Sequence, residues 1–140
     1  MTDDLRELAT RALASKHWRW MPGMIARYNG DVTTAWYRLP EGDSFGLPSK
    51  VRPPNPRHAL PDFSDAATRG CLLALVQEAH GAPVWLAPDT EPDPLDDSEH
   101  VLADRLSWLV FLARDGDYID VIGHGRTPAA ALVAAIEAAP

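Results

Sequence analysis

The chain has 140 residues, of which 46% are hydrophobic and 24% charged, with a net charge of −7 and a single cysteine. This is the profile of a soluble globular chain with room for one domain, residues 1–140, enclosing roughly 68% of its unfolded surface. An internal disulfide and a bilayer-crossing run of ~18 apolar residues are excluded, and the start MTDDLREL lacks the pattern of a secretory signal, so a reducing cytoplasm is the expected compartment.

Thr2 followed by Asp3 and Asp4 reads as a helix start, because acids suit the positive end of the helix dipole. Leu5, Leu8, Ala9, Ala12 and Leu13 recur at helical spacing, which predicts a helix to about Ser15. In HWRWMPGM, residues 17–24, an extended chain places Trp18 and Trp20 on one side before Pro22-Gly23 turns it. MIARYNGDVTTAWYRL reads as a hairpin turning at Asn29-Gly30. Six prolines in the 22 residues from Pro40 to Pro61 exclude regular helix and central strand. Residues 40–61 are therefore expected to form a Pro-rich loop, which carries Lys50, Arg52 and Arg57.

The clearest helix follows. Ser64 is its expected cap, Asp65 sits in its first turn, Cys71, Leu72, Leu75, Val76 and Ala79 form its apolar stripe, and Gly81 ends it after His80. PVWLAP is a short strand between prolines, and DTEPDPLDDSEH, residues 89–100, is an acidic loop leading to a short helix near Ser98. LSWLVFLARDGDYIDVIG is a second hairpin turning at Asp115-Gly116, and Thr127-Pro128 opens a last helix in PAAALVAAIEAAP. Hairpins require antiparallel pairing, and helices with apolar stripes need a sheet to lie on. The expected fold class is α+β: a single-domain sandwich of a mostly antiparallel sheet of about five strands with about three helices.

The charge is unevenly placed. Residues 1–88 hold nine acids and ten bases, residues 89–120 hold ten acids and two bases, and residues 121–140 hold one of each. A concentrated negative field opposes nucleic acid and attracts basic protein surfaces. Asp89, Glu91, Asp93, Asp96, Asp97 and Glu99 are accordingly the expected partner-binding residues.

No reaction is legible in the sequence. Cys71 lies in an apolar helical stripe, where a thiol does not ionise readily. The five histidines lack metal-ligand spacing, and the one local cluster, His100 with Asp96, Asp97 and Glu99, lacks the EF-hand pattern. GHGRTP, Gly123 to Pro128, places two glycines before a helix, a setting that can hold phosphate on free amides, but a dinucleotide fingerprint needs a third glycine. Trp18, Trp20 and Arg19 could stack on a single strand. The preferred reading makes the two tryptophans hooks that pin the first helix to the sheet. The expectation is a protein without catalytic residues, metal or cofactor.

RALASKHWRWMPGM, LPDFSDAATRGCLLALVQEAHG and GRTPAAALVAAIEAAP, 52 residues in all, resemble segments of a group of small bacteriophage and prophage proteins of GC-rich bacteria. That group shares a Trp-x-Trp-x-Pro-Gly-Met segment, a central helix of the Leu-Pro-Asp…Gly-Cys-Leu-Leu-Ala-Leu-Val type and an alanine-rich last helix. The last segment is also similar, more weakly, to the closing helix of phage α-β-α sandwich proteins. The resemblance implies a phage-derived accessory protein and transfers no catalytic residue, since the group has no assigned activity. With the acidic stretch it leads to an expected function in protein–protein binding, as an anti-CRISPR-like inhibitor of host defence. The alternatives are a small-ligand or nucleotide-binding domain using the Gly123–Gly125 turn, and a structural phage component.

Overall fold

A computed structural model of the chain describes residues 1–28, 36–40, 52–89, 107–115 and 119–140. The elements run in the order α1 (Asp3–Ala14), β1 (Ile25–Tyr28), β2 (Trp36–Arg38), β3 (Ala59–Pro61), α2 (Ala66–His80), β4 (Val84–Asp89), β5 (Ser107–Ala113), β6 (Ile119–Gly125) and α3 (Pro128–Glu137). The class is α+β as expected, with three helices among the described residues and antiparallel pairing throughout. The described strands number six, in two three-stranded sheets ordered β2-β1-β3 and β4-β5-β6, where the sequence pointed to about five in one sheet. The chain divides into two compact units, Met1–Leu75 and Val76–Pro140. No helix among the described residues is long and apolar enough to cross a membrane.

In the first unit, Thr2 caps α1 by accepting a hydrogen bond from the Leu5 amide at 3.4 Å, and α1 packs on β3 while burying Leu8, Ala9 and Ala12. The Pro22-Gly23 turn is confirmed: Gly23 has φ +86°, a left-handed conformation that favours glycine. The Gly23 amide donates to the Leu39 carbonyl and the Leu39 amide to the Met24 carbonyl, both at 2.9 Å. These bonds continue the β1–β2 pairing beyond its last strand residues.

Arg27 stands opposite Trp36 in that pairing. Asn29 and Gly30 themselves lie outside the described residues, as do residues 41–51 of the Pro-rich stretch. The end of that stretch is a strand and not a loop: β3 pairs Leu60 with Arg27. Pro61 is tolerated because β3 pairs with β1 alone in its sheet, so the absent proline N–H costs no bond on a second side.

In the second unit, α3 packs on β5 and β6 and buries Leu132, Val133 and Ile136. Thr127 is the expected cap, its hydroxyl accepting from the Ala130 amide at 3.1 Å, and Pro128 occupies the first turn. Gly123 and Gly125 let the helix approach β6 closely. A methyl group at Gly123 would run into the Ala131 carbonyl oxygen and stand 2.8 Å from the Ala135 side chain, while one at Gly125 would stand 2.6 Å from the Ala131 amide nitrogen. The expected second hairpin is present, with Ala113 opposite Ile119, although Gly116 of its turn is outside the described residues. Its ladder shifts between Val110 and Phe111: Phe111 faces Val121 and Val110 faces Gly123, leaving Ile122 as an extra, bulged residue.

Gly123→Ala should destabilise the chain by about 1–3 kcal/mol, read as a lower urea midpoint at unchanged m-value, because backbone rather than a movable side chain blocks the methyl group. Gly70→Ala, on α2 with open space around it, should be neutral or stabilising by up to about 1 kcal/mol.

Candidate protein-binding surface

Of the six acidic residues expected to bind a partner, the described residues include one. Asp89 ends β4 opposite Ser107, whose hydroxyl donates to its Oδ2 at 3.1 Å. Glu91, Asp93, Asp96, Asp97 and Glu99 lie outside the described residues, as do His100 and the helix expected near Ser98. β4 ends at Asp89 and β5 begins opposite it, at Ser107. By sequence the second unit holds twelve acids and three bases, against eight and ten in the first.

The β4-β5-β6 sheet has two unlike faces. Side chains alternate across a strand, so the rows of cross-strand partners alternate as well. Val84 with Leu112, and Leu86 with Val110 and Gly123, lie on the side taken by α3. Trp85, Phe111 and Val121 form a row on the opposite side, where the Trp85 and Phe111 rings stack with centroids 5.5 Å apart and planes 19° from parallel. Leu109 and Ile119 extend this face, and Trp85, Val121 and Ile119 are 39%, 54% and 57% exposed. Sequence reasoning did not single out this face. The only signal was that SWLVFLA is apolar on both alternating sets of positions.

Other residues with chemical potential are engaged structurally. Gly123 and Gly125 lie in β6 beneath α3, not in a turn. At the α3 N-terminus, Pro128 has no N–H and the Ala130 and Ala131 amides bond to Thr127, so three of the first four helix positions offer no free amide to a phosphate. An open depression in the second unit includes His80, Arg114 and Asp120, but Arg114 and Asp120 pair with each other and His80 Nε2 bonds the Ala135 carbonyl at 2.8 Å. Among the described residues, no group of three or more His, Cys, Asp or Glu side chains is placed to hold a metal ion.

The first unit carries a polar network at the start of α2. The α2 cap is Asp65, not Ser64: its Oδ2 accepts from the Thr68 amide at 2.8 Å and from the Thr68 hydroxyl at 2.9 Å. Ser64 donates instead, through its amide and hydroxyl, to the buried Asp62, which also pairs with Arg27. Arg38 reaches Asp65 at 3.0 Å and the Gly23 carbonyl at 2.7 Å. Burial acts to raise the pKa of Asp62, but hydrogen bonds from Ser64 and Arg27 outweigh it and hold the carboxyl below the ordinary 3.8. Asp65 is lowered in the same way, burial being outweighed by bonds from Arg38 and Thr68.

Cys71 points its thiol at the Pro22 carbonyl, 3.5 Å away, and burial together with the Asp65 charge pushes its pKa up. That is the opposite of what a nucleophile needs. Trp18 meets Trp20 and the buried Phe63 edge-on, with ring centroids 5.6 Å and 6.2 Å away. Trp18 thus packs against the short segment that joins β3 to α2.

No family model matches this sequence, and no curated protein or solved structure is significantly similar to it.

Because Asp62 and Asp65 titrate below 3.8 in the folded chain, their contribution to stability is present at neutral pH and lost as pH falls through that lower range. Urea midpoints measured between roughly pH 6 and pH 2 should drop on the acid side, and Asp62→Asn should flatten that drop while lowering the neutral-pH midpoint. Cys71 should react with a disulfide reagent more slowly than free cysteine until the chain is denatured.

Proposed function

We propose that this chain is a non-catalytic, phage-derived accessory protein that acts in the bacterial cytoplasm by binding a host or phage protein with a basic surface. Its most specific form is inhibition of a host defence system in the manner of an anti-CRISPR protein. The observation that carries the reading is the segregation of charge, with twelve of twenty acids and only three of thirteen bases in residues 76–140. A field of this sign speeds encounter with a cationic protein surface and disfavours polyanions. The three segments that resemble phage proteins supply the biological setting. No residue is assigned a catalytic or cofactor-binding role. The small-ligand alternative is not favoured, because Gly123 and Gly125 are used in helix packing.

The test is affinity capture from a bacterial host, with mass spectrometry, comparing the native chain with one in which Asp93, Asp96, Asp97 and Glu99 are all changed to lysine. The expected result is loss of a captured basic protein at unchanged melting temperature. Capture of the same protein by both chains would overturn the acidic-surface reading, and growth into particle-sized assemblies would favour a structural phage component.

A further inference from the structure

We propose that the face of the β4-β5-β6 sheet turned away from α3 is the docking site for a cationic amphipathic protein segment, one with an apolar stripe bordered by Lys and Arg. The inference rests on the protein-binding reading and deepens it by naming the surface and the chemistry of its occupant.

The face begins with geometry. Trp85, Phe111 and Val121 stand in register on three adjacent strands, with Leu109 and Ile119 beside them. The stacked Trp85–Phe111 pair is already ordered, so a partner contacting it loses little side-chain freedom. Broad aromatic side chains on a rigid sheet are the residue type that concentrates binding energy. Water against Val121 and Ile119, both more than half exposed, is released when an apolar stripe replaces it.

Charge selects the occupant. Asp89, in the Ser107 row of this face, marks one end of the sheet, and Asp115 follows the other end of β5, while Asp120 stands in the Leu112 row on the α3 side and pairs there with Arg114. His124 lies in the Leu109 row of this face. The unit as a whole is strongly acidic by sequence, with twelve acids against three bases. A second copy meeting this face through its own would bring two such fields together, and an anionic lipid surface would be repelled in the same way. A segment with lysines or arginines flanking leucine-like side chains satisfies both the apolar row and the acidic surroundings.

The full chain is titrated with a synthetic ~18-residue leucine–lysine amphipathic helix and with its leucine–glutamate counterpart, following tryptophan fluorescence at low and high salt. The lysine peptide should bind, more weakly at high salt, with the glutamate peptide weaker by at least about tenfold. The double change Val121→Ser and Ile119→Ser should weaken lysine-peptide binding by about tenfold at unchanged melting temperature, and Trp85→Ala should do likewise. If the serine variant binds as well as the native chain while lysine reversal of Asp93, Asp96, Asp97 and Glu99 abolishes binding, the face is wrong and the acidic-surface reading stands. Equal binding of both peptides overturns the cationic occupant. Concentration-dependent dimerisation in sedimentation, abolished by the serine changes, overturns it in favour of a second copy.

Discussion

The second unit depends on how near α3 comes to β6. Two residues without side chains, Gly123 and Gly125, allow the helix backbone to settle where any β-carbon would collide with it. The helix answers with alanines at 130, 131 and 135, so small residues meet on both sides of the contact. This closeness lets Leu132, Val133 and Ile136 leave water completely or nearly so, along with Val110 of the strand layer. It also commits one face of the sheet and leaves the other, with Trp85, Phe111 and Val121, to solvent or to a partner. The surface offered outward is thus fixed by what is packed inward.

The first unit is organised by polar bonds where the second relies on close contact. Thr68 is fully buried, yet its hydroxyl both donates to Asp65 and accepts from the Ile25 amide at 2.9 Å, tying the first turn of α2 to the first residue of β1. Asp62 joins Ser64 and Arg27, and Arg69 returns to the Phe63 and Ser64 carbonyls. A buried polar group is tolerable only when its bonds are made, so each member of this corner constrains its neighbours. A change at one is felt by the others, whereas the exposed apolar side chains Trp85 of β4 and Ile119 and Val121 of β6 lie outside that network.

Local signals were legible where one residue type has one physical use. The Thr2 and Thr127 caps, the Gly23 turn, the α2 stripe around Leu72 and Leu75 and both antiparallel pairings follow from such signals. The cap of α2 was misplaced by one residue because Ser64 and Asp65 are equally able to accept the bond. β3 was hidden because three residues ending in proline carry no periodicity, and only the neighbouring β1 makes them a strand. A glycine pair ahead of a helix has the same appearance whether it faces a ligand or the helix itself. Strict alternation would also place Gly123 and Gly125 on the side of Ile119 and Val121, and the bulge that breaks this alternation leaves no mark in the sequence. The outward face was therefore not deducible, while the acidic stretch was plain from composition alone.

The bulge at Ile122 gives β6 one residue more than its ladder with β5 needs. Val121 and Gly123 already face consecutive partners on β5, so a chain lacking Ile122 would keep every remaining cross-strand pair. A chain lacking Gly123 instead would slide Ile122 into the place beneath α3, where there is no room for a side chain. Two deletions one codon apart thus have opposite fates, one closing the ladder into a regular strand and the other prising the helix away. Ile122 is thus the point at which the strand can lose a residue without exchanging its faces.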